Sequence, residues 1–118
     1  GARITGLYVA PPATPLVYEH FLPVKYMTPD EHAEMTERAA ERCLGVLRKA
    51  AEVAGVTCEC VSLAGDFPAD AIVSTAAKRK CDLIFMASHG RRGLSALLLG
   101  SETSRVLTHT TIPVLVYR

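Results

Sequence analysis

Leu83-Ile84-Phe85-Met86 and Val114-Leu115-Val116-Tyr117 are unbroken apolar runs of strand length, and they limit the folds open to this chain. A strand with one wet face alternates apolar and polar side chains, whereas a strand covered on both faces reads as a continuous run. Both segments are therefore predicted to be central or near-central parallel strands. Two further strand patterns, Arg3–Ala10 and residues 56–63, alternate along the chain with helical ones. The order strand, long loop, helix, strand, helix, strand, glycine loop, helix, strand requires crossovers onto a parallel sheet, which is the α/β, doubly wound open class.

The helices carry their own signals. Thr28-Pro29-Asp30-Glu31 reads as a capping box with proline at the first helical position. In the helix that follows, Ala39, Cys43, Leu47, Ala50 and Ala54 recur at three- and four-residue steps as the expected buried stripe. Glu34 and Arg38 are expected to pair on the wet side, and Gly55 to end the helix. The Gly65-Asp66-Phe67-Pro68 turn opens a second helix, whose Ile72, Val73, Ala76 and Ala77 are predicted to form one stripe ahead of the basic Lys78-Arg79-Lys80. Residues 11–27 hold four of the seven prolines and three of the seven aromatics, so they read as a loop. Its apolar content fits a segment packed on the body, a flap over a ligand, or part of a subunit contact through Tyr18, Phe21 and Tyr26.

Composition excludes several classes. With 118 residues, 49% of them hydrophobic, the chain suits one globular domain over residues 1–118. Thirteen Lys plus Arg against twelve Asp plus Glu lack the basic footprint of a nucleic-acid binder. No apolar stretch approaches the ~20 residues that span a bilayer, and residues 1–15 lack a leader pattern, so a cytoplasmic protein without a membrane partner is expected. Cys43, Cys58, Cys60 and Cys81 are expected as reduced packing residues. Cys58 and Cys60 share a strand face, but no second Cys or His cluster has ligand spacing, so no metal site is assigned. His20 and His32 are expected at the surface, and His109 near the dipole of its helix C-terminus. Ser88 and Ser95 lack a nucleophile elbow or base partner, so no catalytic residue is assigned.

Ligands of open parallel sheets sit beyond the carboxyl ends of the strands. The richest such segment here is Ala87-Ser88-His89-Gly90-Arg91-Arg92-Gly93, continuing to Gly100-Ser101-Glu102. Its glycines allow close backbone approach. Gly100-Ser101 are expected to open a helix over residues 102–109 with free amides and a hydroxyl, and Arg91, Arg92 and His89 can add contacts to an anion. A phosphorylated small molecule suits these groups, although the glycines alone also fit a plain turn and Ser101 a plain cap.

From Cys81 onward the sequence resembles the universal stress protein family, in particular its nucleotide-binding branch, whose signature is G-x-x-G, nine residues, then G-[S/T]. The matching residues are Ala87-x-x-Gly90, nine residues, then Gly100-Ser101. The resemblance extends to the Ile-Pro-Val-Leu-Val of residues 112–116, the turn into Ala69-x-x-Ile72, and the opening strand with Tyr8-Val9. It implies a Rossmann-like, adenine nucleotide alpha hydrolase-like fold binding ATP, ADP or AMP, with magnesium as the accompanying ion. By resemblance Val9 sits beside the adenine; Ala87, Ser88, His89, Gly90 and Arg91 line the ribose and phosphates; Gly100, Ser101 and Glu102 hold the phosphate end. It also implies a stress-response switch with little turnover, and a homodimer through residues 113–117. The alternatives are a structural dimer that has lost nucleotide binding, and a slow ATPase or self-phosphorylating protein. Two departures stand out. Ala87 replaces the first signature glycine, and the family's opening strand, which ends in an aspartate, and the helix after it do not precede Gly1. The expectation is an N-terminally incomplete domain, or a partner chain that fills the gap.

Overall fold

The computed structural model describes residues 1–12, 28–88 and 99–118. They form β1 (Arg3–Ala10), α1 (Pro29–Ala54), β2 (Thr57–Ala64), α2 (Pro68–Lys78), β3 (Ile84–Ala87), α3 (Ser101–His109) and β4 (Val114–Tyr117), the predicted order. The proline-rich loop lies outside the described residues from position 13 to 27. The chain divides into two compact units, Gly1–Asp66 and Phe67–Arg118.

In the first unit β1 and β2 pair in parallel, from Arg3 opposite Thr57 to Ala10 opposite Ala64, with α1 as the crossover. The capping box forms as read. Thr28 N donates to Glu31 Oε2, and Glu31 N donates to Thr28 Oγ1, each at 3.1 Å. Gly55 ends α1 at φ 68°, where a side chain would be strained.

The buried stripe of α1 differs from the predicted one. Ala40, Leu44 and Ala51 are buried with Leu47 half-buried, whereas Cys43, Ala50 and Ala54 are exposed. Alanine fits either side of a helix, so the alanine spacing did not fix the phase; the two leucines do, by the apolar area they bury. The strand accommodates them at Gly6, where a Cβ would collide with Leu47 Cδ2 and stand 3.4 Å from Leu44 Cδ2. Glu34 and Arg38 do not pair. Arg48 instead holds Glu41 through two bonds, Nη1 to Oε2 at 3.0 Å and Nη2 to Oε1 at 3.1 Å.

In the second unit β3 and β4 pair in parallel, from Ile84 opposite Val114 to Ala87 opposite Tyr117. The core gathers Ala69 and Ala76 of α2, Ile84 of β3 and Val106 of α3, with Ile72, Val73, Cys81, Met86, Ile112 and Val114 packed on it. Ala77, predicted within the α2 stripe, is exposed, and Thr75 is buried. The expectation that β3 and β4 are covered on both faces is also corrected. Their burial alternates, leaving Phe85, Leu115 and Tyr117 exposed at 66%, 55% and 67%. The physical reason is that the Ile84, Met86 and Val114 side packs into the α2–α3 core, while Phe85 and Tyr117 meet edge to face on the other side at 6.4 Å.

Candidate functional site at the carboxyl end of β3

The ladder of β3 continues one residue past the strand, where Ser88 N donates to Tyr117 O at 2.7 Å. Ser88 is buried, and its carbonyl then turns to the start of α3. Gly100 N donates to Ser88 O at 2.8 Å, and Thr103 Oγ1 donates to Ala87 O at 2.9 Å and to Ser88 O at 3.3 Å. The end of β3 and the start of α3 therefore meet, joined by three hydrogen bonds. Gly100 is the N-cap, with extended backbone, and its carbonyl accepts from Ser104 N at 3.0 Å.

Two details differ from the sequence reading. Gly100 N–H, expected as a free amide, is committed to the loop base. Ser101 is the first helical residue and not the cap, and it is exposed. The first-turn amides of α3 have no acceptor within the helix and make a positive helix end beside Ser88.

Glu102 is turned away from that end. Its Oε2 accepts from Ala69 N at 2.9 Å, at the N-terminus of α2, where Phe67 provides no side-chain cap. The carboxylate thus takes up an orphan donor of the neighbouring helix.

Of the nine predicted site residues, Ala87, Ser88, Gly100, Ser101 and Glu102 are brought together. His89, Gly90 and Arg91 lie outside the described residues, as do Arg92, Gly93 and Ser95. Val9 belongs to the first unit, half-buried on β1 opposite Leu63. Ala87 occupies regular strand, and Lys80 alone among the described non-glycine residues has positive φ, so alanine at the first signature position is accepted without backbone strain. Thr103 was missed by the sequence reading; the available signal was a small polar residue on the Val106 face of a short amphipathic helix. His109 meets its expectation, its Nδ1 donating to Arg105 O at 2.7 Å near the end of α3.

The parallel strands joined through helices define an α/β protein of Rossmann-like type. The solved structure of protein MJ0577 shares this fold with a TM-score of 0.71 and 24% identity, over 97% of this chain and 74% of that one. The chain belongs to the universal stress protein family, whose model matches residues 1–118. It is 34% identical over its full 118 residues to the Universal stress protein in QAH/OAS sulfhydrylase 3'region of Thermus aquaticus, covering 79% of that protein. It is 38% identical over 86 residues to the Universal stress protein MJ0531 of Methanocaldococcus jannaschii. This chain spans about half the length of MJ0531 and 26% of Universal stress protein Slr1230 of Synechocystis, to which it is 39% identical over 75 residues. Among the described residues no helix is long and apolar enough to cross a membrane.

Proposed function

We propose that this chain binds ATP or a related adenine nucleotide as a regulatory switch, with little turnover. The observation that supports this best is the return of the chain from Ser88 to Gly100 at 2.8 Å. It brings Gly100, in the second half of the family signature, to the end of β3, whose last residue Ala87 holds the first signature position. The phosphates take the first-turn amides of α3 and the Ser101 hydroxyl, while Glu102, bound to Ala69 N, is directed elsewhere. Val9, His89, Gly90 and Arg91 carry the adenine, ribose and remaining phosphate contacts, as the family resemblance implies. Magnesium, when present, neutralises phosphate charge.

A second reading, a structural family member without nucleotide, is favoured by one observation: the Ala87 methyl stands where the signature has glycine. Titration of ATP, AMP and GTP into the chain and into Ala87→Gly separates the two. Saturable, adenine-selective binding by the parent supports the switch; binding that arises only in Ala87→Gly supports the structural reading. The reading includes a cytoplasmic homodimer through β4, whose apolar Leu115 and Tyr117 are exposed; a monomer at micromolar concentration in sedimentation would contradict that part.

A further inference from the structure

The α1 helix carries two apolar stripes. One, formed by Ala40, Leu44, Leu47 and Ala51, packs on β1 and β2. The other, formed by Ala39, Cys43, Val46, Ala50 and Val53, advances in alternating steps of four and three residues, and Met35 precedes it by four. It lies about a third of a turn round the helix from the first. Val46 is 74% exposed, Val53 83% and Met35 49%; Cys43 and Ala50 are exposed and Ala39 is half-buried. Steps of four and three give the 3.5-residue repeat of a seam between two helices, whereas the stripe that meets the sheet already satisfies α1 on that side. Part of the spacing read in the sequence as a core stripe therefore belongs to a second face.

A row of cations borders this seam on its solvent side. Arg38, Arg42 and Lys49 are exposed, and the ion pairs among the described residues are Arg3–Glu59 and Arg48–Glu41, so none of the three is paired there. Glu31, the carboxylate in line with them, is held by the Thr28 amide at the start of the helix, and Glu34 and Glu52 lie a row farther from the seam. A second copy of the chain does not complement this row. Antiparallel pairing about Val46 would match Ala39 with the partner's Val53 and Cys43 with the partner's Ala50 in size, but would set Arg42 of each copy beside the partner's Lys49. Parallel pairing would turn Arg42 and Lys49 toward the partner's Leu47 and Ala54, which offer no carboxylate.

We propose that this flank of α1 docks an amphipathic helix of a partner protein, whose apolar seam is bordered by carboxylates. From Met35 to Val53 the seam is about 27 Å long, which a helix of about five turns covers. Ala39, Cys43 and Ala50 let larger side chains of the partner come close, while Val46 and Val53 insert between its residues. The partner's carboxylates meet Arg42 and Lys49, which fixes the choice of partner and speeds encounter more than it adds affinity.

The test is the fluorescence anisotropy of a labelled synthetic helical peptide titrated with the full chain. The peptide carries leucine and alanine in a heptad seam with glutamate along both borders, and a second peptide has lysine in place of glutamate. The glutamate peptide is expected to bind roughly tenfold or more tightly than the lysine peptide, with the gap closing at about 1 M salt, where charges are screened within about 3 Å. Val46→Glu is expected to weaken binding by roughly tenfold or more. Arg42→Glu/Lys49→Glu is expected to reverse the preference between the peptides, whereas Lys78→Glu/Lys80→Glu on α2 leaves it in place. Circular dichroism and urea midpoints check that the variants fold, and Val46→Ser takes the place of Val46→Glu if that chain does not. Equal affinity for both peptides, absence of binding, or a preference reversed equally well by the α2 substitutions would overturn the proposal. So would a dimer in sedimentation that Val46→Glu dissociates, since a second copy would then occupy the seam.

Discussion

Glu102 Oε2 accepts a hydrogen bond from Ala69 N at 2.9 Å, so the carboxylate of one helix caps the N-terminus of another 33 residues away. Phe67, the N-cap residue of α2, has no side chain able to do this. Glu102→Ala is expected to lower the unfolding free energy by about 1–2 kcal/mol, the usual cost of a lost cap with a charged acceptor. Urea denaturation of both chains checks it, and a difference within error would mean that water satisfies Ala69 N equally well.

Thr103 is 2% exposed and its hydroxyl joins α3 to both carbonyls at the end of β3. Thr103→Val keeps the shape and removes the donor, leaving Ala87 O without that partner. A loss of about 1–3 kcal/mol is expected, with nucleotide affinity falling as the loop base loosens. Thr103→Ser retains the donor and should recover most of the affinity; equal affinity in parent and Thr103→Val would show that the loop base is held without this hydroxyl.

The phase of α1 is testable with two neighbours. Leu44→Ala empties buried space against Gly6 and is expected to cost about 2–5 kcal/mol, whereas Cys43→Ser on the exposed side should change stability by less than about 0.5 kcal/mol. Comparable losses would restore the stripe read from the alanines.

That stripe shows where the sequence was legible. Signals contained within a few residues, such as the Thr28–Glu31 box and the Gly55 terminus, were read correctly because backbone geometry alone decides them. The four strands and three helices were legible for the same reason. The side of α1 that is buried, the single covered face of β3 and β4, and the Glu102–Ala69 contact depend on partners far along the chain, which periodicity does not record. In the candidate site the glycine spacing was visible, but the commitment of Gly100 N–H to Ser88 O and the role of Thr103 appear only once β3 and α3 are brought together.

Burial pushes the Cys58 thiol up, and its contact with the Cys60 sulfur adds to this. A group whose folded-state value is raised holds its proton longer in the native state. Its stabilising contribution is therefore complete below the ordinary thiol range and is lost as pH rises through the raised value, from roughly pH 9 upward. Under reducing conditions the urea midpoint of the parent should fall more steeply than that of Cys58→Ser between pH 8 and pH 10. Parallel curves would show that Cys58 ionises alike in the folded and unfolded chain.

The proposed function requires an adenine nucleotide where Ser88 and Gly100 meet. Calorimetric titration of magnesium-ATP into the chain tests it most directly. Saturable binding of one nucleotide per chain at micromolar affinity is expected, and Gly100→Val is expected to abolish it. Absence of heat or saturation up to millimolar nucleotide, in a chain shown to be folded, would contradict it.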